Sequence, residues 1–145
     1  MKTQIEPLKA ADVDAVYELL RGHHLPVDGL AEHLATTLVA RDGGGRVLGS
    51  AGLELYGSHA LLRSVAVVGD SHGRHIGREL TLAALELARE RGVSAVYLLT
   101  TSADNYFPRF GFVRISRADV PSAVQSSIEF TSACPSSATV MRKTL

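Results

Sequence analysis

The sequence predicts an α/β fold: one domain over residues 1–145, built on a mixed, mostly antiparallel sheet with a central βα crossover and flanking helices. Three observations carry this. A chain of 145 residues has the length of one domain and can bury a sizeable core. An amphipathic helix pattern over 75–91 lies between two apolar runs, 61–68 and 94–100, the order of a β–α–β unit with a right-handed crossover. Upstream, "DGGG" at 42–45 and "YGSHA" at 56–60 separate short apolar segments, as in a meander of hairpins.

Residues 3–8 read as a first strand. Asp12 opens a helix in which Val13, Val16, Tyr17 and Leu20 share one face at helical spacing. Pro26 and Gly29 make 21–29 a loop, and a short helix follows near 29–35. Residues 36–41 and 46–56 form a hairpin around "DGGG", and 61–68 is the third strand of the meander. In the helix over 75–91, Ile76, Leu80, Ala83, Ala84, Leu87 and Ala88 form the apolar stripe, Arg89, Glu90 and Arg91 face water, and Gly92 stands where a C-terminal glycine cap belongs. The run "SAVYLLT" at 94–100 is almost wholly apolar, as suits a strand covered on both faces. Residues 103–109 read as a short helix or turn, 111–116 as a strand, 119–132 as a helix with a weak apolar stripe, and 137–145 as the closing strand.

Composition excludes several roles. Fifteen basic and fifteen acidic residues give zero formal net charge, so no long-range field draws the chain to nucleic acid or to a membrane surface. Aromatic residues are few and Trp is absent, which argues against base stacking. With a single cysteine, Cys134, no internal disulfide forms. Without a signal peptide or an apolar run of membrane-spanning length, a cytoplasmic protein is expected.

The chemistry is expected at "DSHGRHIGREL", 70–80. A loop from a strand's carboxyl end into a helix N-terminus aims unpaired N–H groups and the positive end of the helix dipole outward, which suits phosphate. Arg74 and Arg78 add fixed charge. A Walker loop needs Gly-Lys-Ser/Thr, which is missing, and a dinucleotide loop needs G-x-G-x-x-G, whereas the spacing here is Gly73-x-x-x-Gly77.

The stretch "LRSVAVVGDSHGRHIGREL" instead resembles the pyrophosphate loop of GNAT acetyltransferases, Q/R-x-x-G-x-G/A after a V-A-V strand. Val65-Ala66-Val67 matches the strand and "HGRHIG" the loop, with His72 in place of Q/R and His75 in place of a glycine. "YFPRFGF", 106–112, resembles the family's F-Y-x-x-x-G-F segment. More narrowly, "LLRSVAV", "LLTTSADNYFPRFGF" and the tail "SSIEFTSACPSSATVMRK" resemble the arsenic-resistance N-acetyltransferases. "LLTT…YF…GF" is also similar to amino-acid N-acetyltransferases of the N-acetylglutamate synthase type.

The resemblance implies acetyl-CoA as cosubstrate, without a metal, and a small-molecule amine as acceptor, an amino acid or a similar compound. Backbone groups of Val65, Ala66 and Val67 would hold the pantetheine and the acetyl oxygen. Gly73, Arg74, His75, Ile76, Gly77 and Arg78 would hold the pyrophosphate, and Asn105 stands where an asparagine often contacts the cofactor. The usual tyrosine acid falls at Phe107, so the thiolate's proton would come from its neighbour Tyr106 or from water. Glu54 is a candidate base, directly or through water; alternatively the amine loses its proton before binding. Arg63 reads equally as a clamp for a substrate carboxylate and as half of a surface ion pair. His24, beside His23, sits in the loop over the site, where a solvated role is the plainer one. The six histidines have no metal-ligand spacing, and Cys134 reads as a packed thiol. The rival reading is a GNAT-like module that senses acyl-CoA without catalysis, suggested by Phe107. Dimerisation is compatible with the fold.

Overall fold

The computed structural model describes residues 3–69 and 75–145. Its seven strands are β1 (Gln4–Pro7), β2 (Thr37–Arg41), β3 (Val47–Tyr56), β4 (His59–Val67), β5 (Ala95–Thr100), β6 (Val113–Arg114) and β7 (Thr139–Thr144). They form one sheet in the order β1-β2-β3-β4-β5-β7-β6. β4 and β5 are parallel, and the other neighbouring pairs are antiparallel. The helix between the parallel strands is α2 (Ile76–Glu90).

Helix α2 covers one face of the sheet. Its Ile76, Leu80, Ala84 and Ala88 are fully or almost fully buried against Leu48, Leu62, Val96 and Leu98. The buried stripe is rotated from the predicted one: Thr81 and Leu85 are buried, whereas Ala83 and Leu87 are only partly so. On the opposite face α1 (Val13–Gly22) packs Val16 and Leu20 against Val39 and Ala66. Beside α1, the segment 117–133 packs Val120 and Val124 on Leu61, Tyr97 and Val140. Two bodies of chain thus share this second face, with β4 running between them.

Three predicted elements differ. The hairpin turn before β4 is confined to Gly57 and Ser58, and His59 already belongs to the strand. The predicted strand over 111–116 is a ladder of only Val113 and Arg114. The predicted helix over 119–132 is a 3-10 turn (Arg117–Asp119), a single α-turn α3 (Ser122–Gln125) and a π-turn (Glu129–Ala133). Pro121 brings no N–H to continue a helix. Ser126 Oγ then bonds the Ala123 carbonyl, and Ser127 Oγ accepts the Glu129 N–H, the side-chain competition that ends helices early.

Candidate active site

The ladder between β4 and β5 pairs only His59–Leu61 with Ala95–Tyr97. Beyond Leu61 the strands part, while on its other edge β5 stays paired with β7 along its whole length, Ala95–Thr100. A β-bulge helps. Gly52 pairs Arg63 and Ser50 pairs Ala66, so Ser64 and Val65 together face Ala51. Ser64 holds φ 60°, and its carbonyl accepts a bond from Ser50 Oγ at 2.7 Å. A bulge adds one residue and reverses which side chains face which side. Leu61 and Arg63 therefore face the α1 side, and so does Ala66, while Val65 and Val67 join Leu62 toward α2.

A cleft of about 860 Å³ opens in the gap, within the range of small-molecule sites. One wall is the edge of β4 from Leu62 to Val67, and the other runs from Leu98 to Ala103. One end reaches His75, Gly77 and Arg78 at the start of α2. The other passes under His24–Pro26 to Glu129, Cys134 and Pro135.

At the α2 end, His75 precedes the helix with φ 60° and ψ 18°, a left-handed backbone, so its N–H does not point as the first N–H groups of a right-handed helix do. A Cβ on Gly77 would lie 3.2 Å from the Tyr106 hydroxyl and 3.5 Å from Val67 Cγ2. The missing side chain is what lets the phenol sit against the helix start. The Tyr106 ring is fixed edge-on by Phe107 and Phe110, with the Arg109 guanidinium 4.5 Å above it.

At the other end lies a buried charge cluster. Arg63 Nη1 donates to Glu54 Oε2 at 2.7 Å and Nη2 to the Pro26 carbonyl at 3.2 Å. Its Nε donates to Ser64 Oγ and stands 3.4 Å from Glu129 Oε2. The Arg63 side chain has no exposed surface, and those of Glu54 and Glu129 have 1% and 5%. Burial alone would raise the Glu54 carboxyl, but hydrogen bonds with Ser127, Tyr56 and Arg63 hold it below its ordinary range. Glu129 goes the other way: burial and the Glu54 charge push it up to about 7, against Arg63 and the Cys134 thiol. Burial, then the Glu129 charge, push Cys134 up to about 12, far from a reactive thiolate. The segment carrying Glu129 is docked by a close approach. Gly29, at φ 76°, has no Cβ where Ile128 Cγ2 lies, only 2.5 Å from the place one would occupy.

The cleft thus brings together Val65, Ala66, Val67, His75, Gly77, Arg78, Arg63, His24 and Tyr106 of the expected residues. Ile76 is 1% exposed and packs in the core. Asn105 is exposed and does not line the cleft. Glu54 stands behind Arg63, out of the lining. Gly73 and Arg74, with His72, lie outside the described residues. Arg63 is no surface residue, and Glu54 already balances its charge. Glu129 is the lining carboxylate that the sequence reading missed. Its signal was slight, an acidic residue among apolar neighbours in "SSIEF". No group of three or more His, Cys, Asp or Glu side chains suited to a metal occurs among the described residues.

Comparison with known proteins gives a consistent picture. The model of the Acetyltransferase (GNAT) family matches residues 6–112. Over 87 residues, 53% of this chain, the sequence is 38% identical to mycothiol acetyltransferase of Pseudarthrobacter chlorophenolicus, but spans only 27% of that protein's length. It is 28% identical over 130 residues to the Chlorobaculum tepidum protein named Uncharacterized N-acetyltransferase CT2212, covering 84% of this chain and 83% of that one. Among solved structures, Rv2747 from Mycobacterium tuberculosis, in complex with CoA, superposes with a TM-score of 0.83 at 22% identity over 98% of this chain and 99% of that one. N-acetylglutamate synthase from Neisseria gonorrhoeae, complexed with coenzyme A and N-acetyl-glutamate, gives 0.85 at 17% identity, covering all of this chain and 35% of that one.

Proposed function

The chain belongs to the GNAT acetyltransferase family, and we propose that it moves an acetyl group from acetyl-CoA to the amine of a small molecule, an amino acid or an amino-acid-like compound. The observation that carries this is the parting of β4 from β5 at Leu61, which leaves a strand edge leading to the N-terminus of α2. An extended, amide-bearing arm suits such an edge, as an added strand would, and a pyrophosphate suits the helix start. The residues fit: Val65, Ala66 and Val67 offer the edge, and Gly77 and Arg78 the helix start; His75 lines the same end, and Gly73 and Arg74 precede it in the sequence. When bound, acetyl-CoA supplies an acetyl carbon activated by its thioester. The chain's part is to orient that carbon beside the amine, exclude water and move protons.

Tyr106 is the proposed proton donor to the departing sulfur, because its hydroxyl lies against Gly77 in the same cleft. Glu54, its charge held by Arg63 and its carboxyl kept low, fits a charge-holding role better than proton uptake. His24 at the outer end is placed to select acceptors. An amino-acid acceptor is favoured by the amino-acid product bound in the N-acetylglutamate synthase structure. The resemblance of the tail to arsenic-resistance N-acetyltransferases adds amino-acid-like antimetabolites to the class.

The test is free-thiol release from acetyl-CoA across a panel of amino acids and small amines, beside calorimetric binding of CoA, NAD and ATP. CoA binding in preference to NAD and ATP is expected, with transfer to at least one amine. Equal binding of NAD or ATP would overturn the cosubstrate assignment. CoA binding without transfer to any amine would favour the sensing role.

A further inference from the structure

The cleft has a polar end that the acetyl-CoA assignment leaves unused, where Glu129 and Cys134 meet Arg63 under the loop 24–26. We propose that Glu129 is the catalytic base that takes the proton from the acceptor's ammonium group, so that the acceptor class is a primary amine bound in its protonated form. This rests on the acetyltransferase reading given above.

The geometry sets Glu129 apart from every other carboxylate near β4. Glu54 already has Arg63 Nη1 at 2.7 Å and the Tyr56 hydroxyl on its carboxylate, with His33 Nε2 at 3.7 Å. Its lone pairs are engaged and it does not line the cleft. Glu129 does line it. Its Oε2 stands 3.4 Å from Arg63 Nε, a longer contact than the one Arg63 makes with Glu54. One guanidinium thus serves two buried carboxylates, one tightly and one loosely. An arriving ammonium would complete the charge balance: two cations, two carboxylates. A buried carboxylate without full compensation binds a cation or a proton readily. The groups facing Glu129 are Arg63 on β4, Glu54 on β3 and Cys134 on its own segment. His23 and His24 enter the cleft from the end of α1.

The balance of the step is simple. The ammonium gives one proton to the Glu129 carboxylate, leaving a neutral amine and a carboxylic acid. The nitrogen lone pair forms the C–N bond to the acetyl carbon. The C–S bond breaks with its electron pair going to sulfur, and the thiolate ends protonated by the second proton lost from nitrogen, relayed through Tyr106. Glu129 returns its proton to solvent. The products are the acetamide, free CoA thiol and one proton. A carboxyl poised near neutrality is well matched to this task, and that is where burial puts Glu129.

The test is the pH profile of kcat/KM for the parent and for Glu129→Gln, with two acceptor amines of different basicity. In the parent, an acidic limb near pH 7 is expected that stays in place when the amine is changed. Glu129→Gln should lose that limb and about 10²–10⁴-fold in kcat/KM at pH 7, with CoA affinity measured by calorimetry unchanged. Acetate or imidazole added to Glu129→Ala should restore part of the rate. A parent profile that rises only with the acceptor's own pKa overturns the proposal, whatever the variants do. So does a Glu129→Gln profile equal to the parent's. A parent that binds CoA and acetylates no amine overturns the underlying reading as well.

Discussion

His75 is a non-glycine residue in a left-handed backbone, φ 60° and ψ 18°, at the entry to α2. For an ordinary side chain this costs about 1–2 kcal/mol, and glycine escapes it. His75→Gly should therefore raise stability by about 1 kcal/mol, or roughly 2–4 °C in Tm for a domain of this size, and leave CoA affinity nearly unchanged. Thermal melts with calorimetry check both; a lower Tm would mean that the imidazole makes a contact worth more than the strain. Tyr106→Phe keeps the ring stack on Phe107 and Phe110 and removes only the hydroxyl. It should lower kcat, at most by the roughly 10²–10⁴-fold of general-acid help, with CoA affinity unchanged. An unchanged kcat would hand the proton to water. At this scale the cleft's backbone contributors were legible, because a V-A-V strand and a glycine in the first turn of a helix are local patterns. Glu129 was not. Its burial comes from Gly29, Ile128 and Arg63, which lie far apart in sequence or on different elements, so no local spacing announced it.

Elements position these residues through two devices of different legibility. Helix α2 and its flanking strands could be read because a 15-residue helix repeats its pattern often enough to be recognised. The bulge at Ser64 could not, since one extra residue inside an apolar strand leaves the composition unchanged while reversing the faces beyond it. In segment 117–133 the predicted helix over 119–132 fails for a related reason: turn elements of three to five residues give no period to detect, and Ser126 Oγ on the Ala123 carbonyl closes the middle one. That segment is anchored where Ile128 fills the space of a Gly29 side chain. Gly29→Ala would introduce a Cβ 2.5 Å from Ile128 Cγ2 on a backbone at φ 76°. The strain and overpacking together should cost about 2–4 kcal/mol. The displaced segment should also slow acetyl transfer while CoA binding, at the far end of the cleft, is kept. Equal loss of both would mean that the two ends of the cleft are not independent.

For the molecule as a whole, the buried carboxylates act against one another as pH changes. Asp12, held by the Arg41 guanidinium through bonds of 2.7 and 2.8 Å, is lowered from 3.8 to about 2. A lowered carboxyl contributes stability that is present above its unfolded pKa and is lost as pH falls through the folded one. Asp12 thus guards the range below about pH 4, and Glu54, lowered as well, works in the same direction. Glu129, raised from 4.5 to about 7, has the opposite sign. Between those two values the folded state holds the proton more firmly than the unfolded chain. Stability from this group is full below about pH 4.5, falls as pH rises to 7, and is flat above. A shift of this size corresponds to about 3 kcal/mol. The parent Tm should accordingly be higher at pH 5 than at pH 8. Glu129→Gln, neutral at every pH, should lose most of that difference. Other titrating groups are common to both proteins, so the change in slope between them isolates Glu129. A variant with the parent's slope would show that Glu129 enters the folded state ionised. In that case Arg63 would hold two charged partners, and the cleft would carry its negative charge before any acceptor arrives.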